Sequence, residues 1–419
     1  MRYYTINEVA SLLGLTVKSI RRCVASGELG SEKRGASYCI PEESLAAFRQ
    51  RKASSKSMQD ELFPDLATED RPTTRGARGM DDVNWFDVSP FWDEPAASAM
   101  TFVDLFCGAG GLSKGLEMAG LEGICGLDWF DEAGQTYERN FNHPFVNGDI
   151  KQDATKQTFY DTVLQKLNGR HLDLVAGGFP CQGFSMAGNR IVDDPRNSLY
   201  LELIEIVNKL RPDFVLCENV KGLRSMMGGR VEQKIIADFK SIGYHVNVTV
   251  LCAADYHTPQ KRERVIFIGN RLGLKNYHPL PMLDPEHYVT TGEAIADLMQ
   301  HPTDKEFNHV PTRHRKDMMK RMAALQEGES LYAGYSDAWK KCPWDEASCT
   351  IKENHGGVNI HPKLPRVLTA REMARLQSFP DDFIFCGPKN KQLVQIGNAV
   401  PPLLGKAIGL AIRHSMGEL

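Results

Sequence analysis

From Thr101 onward, short apolar runs alternate with stretches of helical length, and that rhythm constrains the fold more than any other feature of the chain. Strand candidates fall at residues 101–106, 123–128, 172–176, 213–217, 246–252 and 264–269. Helical stretches near 112–119, 131–140, 155–167, 198–210 and 231–241 separate them. Strands spaced by helices of this length predict an α/β fold with a doubly wound, mostly parallel sheet. Such sheets bind ligands beyond the carboxyl ends of their strands. The residues just past each apolar run are therefore the ones to inspect.

The chain has 419 residues, enough for two or three domains. No apolar run reaches the 18 residues that a membrane span needs. The start, Met1-Arg2-Tyr3-Tyr4-Thr5, lacks the charged-then-apolar layout of a signal peptide. The 10 cysteines form no C-x-x-C pair, which argues against a zinc site and a disulfide framework. Dispersed thiols fit a reducing cytoplasm, and no metal is expected. The net charge of −3 speaks against a nucleic-acid partner only if charge is even, and it is not. Residues 313–321 are basic, with Arg313, Arg315 and Lys316 leading, whereas residues 60–94 carry an acidic excess. Local patches decide which face attracts phosphate.

Residues 1–52 read as a small helical unit. Thr5 caps a first helix, with Glu8 completing a capping box. Gly14 ends that helix, and Thr16 caps a second from Val17 to about Ser26. Two short helices about a glycine turn make a helix-turn-helix. Lys18, Arg21 and Arg22 lie near the start of the second helix, the part that enters a major groove in such motifs. Residues 30–40 suit a two-stranded wing carrying Lys33 and Arg34, and Pro41 opens a third helix. The arrangement resembles the excisionase and MerR-like winged helices, which implies binding to an operator DNA. Residues 53–98 read as a linker, with the aromatics of residues 83–92 set to pack on the next domain.

At the strand ends the residue types become chemical. The first strand runs into Cys107-Gly108-Ala109-Gly110-Gly111, where glycines permit a tight turn and a close ligand. The spacing is not that of a dinucleotide fingerprint, and no Gly-Lys-Ser/Thr is present for a triphosphate. The second strand ends in Asp128-Trp129, about 20 residues after that turn, where a carboxylate suits ribose hydroxyls and an indole suits adenine. Gly148-Asp149-Ile150 offers a further carboxylate; taken singly, Trp129 and Ile150 read as ordinary core. The third strand ends in Gly178-Phe179-Pro180-Cys181-Gln182-Gly183, which puts a thiol at a strand terminus. Residues 182–197, with Arg190 among them, read as a loop that closes over a substrate.

Further ordered blocks lie downstream: Glu218-Asn219-Val220, Gln260-Lys261-Arg262-Glu263-Arg264, residues 366–381, and Gln395-Ile396-Gly397-Asn398. Together with Asp104-Leu105-Phe106-Cys107-Gly108 and the Pro180-Cys181 block, they strongly resemble the DNA cytosine-5 methyltransferases over residues 100–419. An amino-directed methyltransferase would carry Asp/Asn-Pro-Pro-Tyr/Phe in place of Pro180-Cys181. A nucleobase deaminase would need a second cysteine after Pro180-Cys181.

The resemblance implies S-adenosylmethionine as cofactor, held by Phe106, Gly108, Gly110, Gly111, Leu112, Asp128, Trp129, Asp149, Ile150, Pro180, Asn398 and Val400. It implies Cys181 as the nucleophile, Glu218 at cytosine N3, Arg264 at O2, and Arg262 in support. It also implies duplex DNA as substrate, with Arg190, Arg313, Arg315 and Lys316 near it. The implied domains are a catalytic and cofactor-binding part at 99–300, a target-recognition part at 301–387, and a return to the catalytic part at 388–419. The whole reads as the modification enzyme of a restriction–modification pair, with an endonuclease as its functional partner. A transcription regulator with an inert methyltransferase half and a tRNA methyltransferase are the competing readings. Intact Cys181, Glu218 and Arg264 oppose the first, and the helix-turn-helix opposes the second. No residue stands out as the base that removes the C5 proton.

Overall fold

The computed structural model describes residues 3–13, 20, 24, 29–34, 37–48, 83–180, 199–332, 339–352 and 358–419. The chain divides into two compact units. In the N-terminal unit, β1 (Tyr3–Thr5) leads into α1 (Ile6–Leu13), and β2 (Glu32–Arg34) pairs antiparallel with β3 (Ser37–Pro41) as the expected wing. The capping box at the start of α1 is present: the Thr5 N–H donates to Glu8 at 2.7 Å, and the Glu8 N–H donates to Thr5 Oγ1 at 3.2 Å. The β1 strand, which pairs with β3, is too short to announce itself by alternation. Val9, Ile20, Leu29, Ile40, Leu45 and Phe48 close the unit's core. Of the second helix only Ile20 and Val24 are described; Lys18, Arg21 and Arg22 lie outside the described residues.

The larger unit opens with β4 (Asn84–Phe86) and is built on a seven-stranded sheet. In chain order its strands and helices are β5 (Thr101–Leu105), α2 (Gly111–Met118), β6 (Glu122–Asp128), α3 (Asp131–Asn140), β7 (Phe145–Asn147), α4 (Asp153–Leu167) and β8 (Leu174–Gly177). Next come α5 (Leu199–Leu210), β9 (Phe214–Val220), α6 (Arg230–Ser241), β10 (His245–Cys252), β11 (Glu263–Asn270) and β12 (Tyr277–Pro279). The C-terminal part adds α7 (Thr291–Ile295), α8 (Lys316–Ala324), α9 (Ala370–Leu376), α10 (Lys389–Asn398) and α11 (Pro402–Met416).

Across the sheet the order is β10-β11-β9-β8-β5-β6-β7, parallel except for β11, which runs antiparallel to both of its neighbours. The chain winds outward from β5 through β6 to β7, then returns to build β8 and β9 on the other side. The switch point therefore lies between β5 and β8, where doubly wound sheets bind ligands. Every residue of β5 is buried, as expected for a strand covered on both faces. One face packs under α4, α5 and α6 through Phe159, Val163, Ile206, Val207, Ile235 and Phe239. The other packs under α2 and α11 through Leu112, Leu116, Leu404, Ile408 and Ile412. There two helices touch at glycines: a Cβ on Gly115 would lie 2.6 Å from Gly405 Cα. The aromatics of residues 83–92 pack on this same face, where Phe86 stacks on His414 at 3.7 Å and β4 pairs with β12. A third core, including Leu298, Ile360, Met373 and Phe383, gathers residues 295–396 and joins them to Tyr137 and Phe141.

Candidate active site at the sheet switch point

The turn after β5 is tight. Phe106 sits at φ 57°, Gly108 at 52° and Gly110 at 90°, so the chain reverses through the left-handed region before α2 starts. Phe106 adopts that conformation without being glycine, a strain that clusters at ligand sites. Gly111 lies so close to the C-terminal return that a Cβ there would stand 2.3 Å from the Val400 carbonyl oxygen. Leu112 and Val400 are buried beside it. Residues nearly 300 apart in sequence thus meet at one turn.

At the end of β6, Asp128 accepts hydrogen bonds from the Gly108 N–H at 2.8 Å and the Phe130 N–H at 2.9 Å. These bonds aim a nearly buried carboxylate; burial raises its pKa, and the N–H groups of Phe130, Gly108 and Trp129 oppose the rise. Trp129 is 73% exposed. The ordinary-core reading of that indole is overturned, because the ring lies open to solvent beyond the end of β6. Ile150 is buried, and Asp149 is exposed, its carboxylate accepting from the Lys151 N–H at 3.0 Å. Asn398 is exposed at the end of α10. A ligand with an adenosine and a charged tail fits this set: a free indole face, a fixed carboxylate, and a glycine turn that leaves room.

The other side of the switch point carries polar side chains. Glu218 Oε1 and Arg264 Nε lie 2.7 Å apart, both side chains close to nine-tenths buried, on the paired strands β9 and β11. Gly178 leaves space for that pair: a Cβ there would come within 3.2 Å of Glu218 Oε2. Asn219 Nδ2 donates to the Phe179 carbonyl at 2.8 Å and so fixes the segment that ends in Pro180. Sequence reasoning did not single out Asn219, although it lies inside the Glu218–Val220 block. Cys181, the next residue after Pro180, lies outside the described residues, as does Arg190.

Arg262 is buried and donates to the Ile351 carbonyl at 3.3 Å and the Gly397 carbonyl at 3.1 Å. Burial pushes its pKa down, with Arg264 adding to the fall and Glu218 opposing it. Gln260 completes the joint. It donates to Leu376 and Gln377 and accepts from the Ile351 N–H at 2.8 Å. The strand that presents Arg264 is thereby tied to residues 348–351 and to α9 and α10. Arg313, Arg315 and Lys316 are exposed at the start of α8.

The profile of the C-5 cytosine-specific DNA methylase family matches residues 100–414, and that of a helix-turn-helix domain matches residues 3–53. The type II methyltransferase M1.HphI of Haemophilus parahaemolyticus is 37% identical over 331 residues, covering 75% of this chain and 87% of that protein. M.Eco47II of Escherichia coli is 28% identical over 99% of this chain and 96% of its own length. Among solved structures, a DNA modification methyltransferase encoded within an E. coli prophage superposes with a TM-score of 0.62 at 27% identity, covering 76% of this chain and 100% of that one. An Entamoeba histolytica methyltransferase at 16% identity shares the fold, with a TM-score of 0.56 over 77% of this chain and 99% of that one. The chain belongs to the C-5 cytosine-specific DNA methylase family and is a DNA cytosine-5 methyltransferase with a helix-turn-helix domain at its N-terminus.

Proposed function

We propose that this enzyme moves a methyl group from S-adenosylmethionine to C5 of a cytosine turned out of duplex DNA, through a covalent bond between Cys181 and C6. The observation that supports this most is the Glu218–Arg264 pair at 2.7 Å, next to the anchored Phe179-Pro180 segment that delivers Cys181. C5 of cytosine is too weak a nucleophile to be methylated unaided. Addition of the Cys181 thiolate to C6, with a proton reaching N3 from Glu218, turns the ring into an enamine whose C5 attacks. Arg264 meets the charge on O2. A base then takes the C5 proton, the thiolate leaves as the ring regains aromaticity, and N3 returns its proton to Glu218. C5 and C6 are edge-on in a duplex, so the base must leave the stack for a thiol to approach from its face.

When bound, S-adenosylmethionine supplies the electrophilic methyl group. Asp128 would hold the ribose, Trp129 would cover the adenine, and the 106–111 turn with Asn398 and Val400 would line the rest. Residues 301–387, with exposed Arg313, Arg315 and Lys316, would read the target. The N-terminal unit would bind a second DNA site, most simply an operator of its own gene. Relatives named type II methyltransferases make modification alongside a restriction endonuclease, in the cytoplasm, the setting we infer. Bisulfite sequencing of DNA from cells expressing the chain tests the reading, with 5-methylcytosine expected in one sequence context. Duplex DNA bearing 5-fluorocytosine at that position is expected to trap the wild type covalently and to leave Cys181→Ser free. Methylation of tRNA and not of duplex DNA would overturn the proposal.

A further inference from the structure

Behind the turn at the end of β5 runs a chain of hydrogen bonds that the methyl-transfer chemistry does not use. Asp104, on β5, accepts from Ser113 Oγ at 2.6 Å. Ser113 Oγ lies 2.9 Å from the Tyr137 hydroxyl, and that hydroxyl lies 2.7 Å from His143 Nε2. His143 Nδ1 in turn stands 3.5 Å from Glu117 Oε1, whose side chain is 29% exposed. Asp104, Ser113, Tyr137 and His143 are all buried. The other carboxyl oxygen of Asp104 is buried with no hydrogen-bond partner among the described residues.

The sequence makes room for this chain at a cost to the sheet. Two glycines in β6 weaken a strand that would favour branched residues. A Cβ at Gly126 would stand 2.6 Å from Tyr137 Cζ, and one at Gly123 would stand 2.2 Å from His143 Cε1. Both rings therefore lie directly on glycine backbone. An apolar core would have filled those places, so the polar chain is a built feature.

We propose that Asp104 is the proton-linked counter-charge of the cofactor site: it keeps a proton while the cofactor is away and gives it up, through Ser113, Tyr137, His143 and Glu117, when a sulfonium is bound. The inference rests on the S-adenosylmethionine reading above. Burial and the neighbouring carboxylates favour a neutral Asp104, and Ser113 favours the anion. Burial acts first, pushing it up to about 7, while Ser113 lowers it and Asp128 on β6 and Glu218 on β9 raise it. Cys107 in the turn and Tyr137 on α3 are themselves pushed up by burial and stay uncharged. A bound cation stabilises the ionised carboxylate by direct attraction. In the release, Asp104 passes its proton to Ser113 Oγ, which passes its own to the Tyr137 oxygen, and that oxygen protonates His143 Nε2. His143 Nδ1 loses its proton to Glu117 and then to water. Each middle member receives one proton and passes one on, so the net change is an ionised Asp104 and one proton in solvent.

This linkage fixes the sign of the pH dependence. Cofactor binding releases a proton only where free Asp104 holds one, so affinity rises with pH up to about 7 and is flat above it. Below that point the rise is up to about tenfold per pH unit. S-adenosylhomocysteine, which has the same ammonium and carboxylate and no sulfonium, separates this charge from the rest of the ligand.

Calorimetric titration of the full chain in buffers of different ionisation enthalpy counts the proton. With S-adenosylmethionine the wild type is expected to release about 0.9 proton at pH 6 and about 0.5 at pH 7. S-adenosylhomocysteine is expected to release few, and Asp104→Asn to abolish the release while still binding S-adenosylhomocysteine. Ser113→Ala, which removes a hydrogen bond that favours the anion, is expected to move the midpoint above pH 7 and serves if Asp104→Asn fails to fold. Tyr137→Phe is expected to release the same number of protons, detected later than binding by a pH-indicator dye in stopped flow. No release by the wild type, equal release with S-adenosylhomocysteine, or undiminished release in Asp104→Asn overturns the assignment. Prompt release in Tyr137→Phe overturns the route. A wild type that binds no S-adenosylmethionine overturns the cofactor reading and this one with it.

Discussion

The two sides of the switch point are built by different means. On the β5–β6 side the geometry comes from backbone: three left-handed residues in one turn, an N–H pair holding Asp128, and Gly111 against the Val400 carbonyl. On the β9–β11 side it comes from long polar side chains, with Asn219, Gln260 and Arg262 reaching into neighbouring segments. A backbone-built site is rigid, and at Gly110 and Gly111 it has no space for an added atom. A side-chain-built site can be loosened one hydrogen bond at a time. The difference suits the two tasks proposed, since a small cofactor needs one fixed shape while a base swinging in from DNA needs groups coordinated with the recognition part.

The sharpest way to break this contrast is to add a methyl group to the backbone-built side. Gly111→Ala would bring a Cβ to 2.3 Å from a backbone oxygen, which cannot move without moving the start of α11. We expect a loss of about 3 kcal/mol of stability, the upper part of the overpacking range, and cofactor affinity down by more than about tenfold. Thermal unfolding and calorimetry measure both. Unchanged stability would mean that α2 and α11 slide freely, and the rigid-side argument fails.

A smaller effect, and an opposite pattern, is expected from Asn219→Ala. It removes the donor to the Phe179 carbonyl, an interaction of about 1–3 kcal/mol when buried. Turnover should fall roughly 10- to 100-fold as the Cys181 segment loosens, with S-adenosylmethionine affinity within about threefold of wild type. Single-turnover methylation and direct cofactor titration distinguish the two. A parallel fall in cofactor affinity would show that the sides are coupled and not separately built.

The same contrast explains what the sequence made legible. β5, β6, β8, β9 and β11 were readable as mostly apolar runs because they are buried, and half-buried β10 by its alternating valines; the resemblance carried by the ordered blocks implied one site for Glu218 and Arg264, which the structure brings together. β7 was not, since only Val146 of its three residues is buried. Nor was the antiparallel direction of β11, because an apolar run carries no sign of its direction. Gly123 and Gly126 gave no signal as members of β6: their meaning lies in Tyr137 and His143, which reach them only after the chain folds. Arg262 read as a supporting residue, but not as a buried joint whose carbonyl partners lie 89 and 135 residues away. Local pattern shows which side chains are apolar; it does not show which carbonyl a long side chain will find.

The smallest expected effect on methylation comes from removing the N-terminal unit altogether. That unit closes its own core with six buried residues from Val9 to Phe48, and its profile match ends at residue 53, before the methylase match begins at 100. A chain starting near residue 76 should keep the seven-stranded sheet and methylate the same sequence at a rate within about threefold, a barrier change below ~1 kcal/mol. It should lose binding to the second DNA site, and Arg21→Ala with Arg22→Ala in the full chain should mimic that loss. Phosphate contacts would appear as a shallower salt dependence, and base contacts as a lost preference for the operator. The informative alternative is a truncated enzyme that no longer methylates and binds its target weakly. The helix-turn-helix would then be part of target recognition, and the 301–387 interval would read only part of the site.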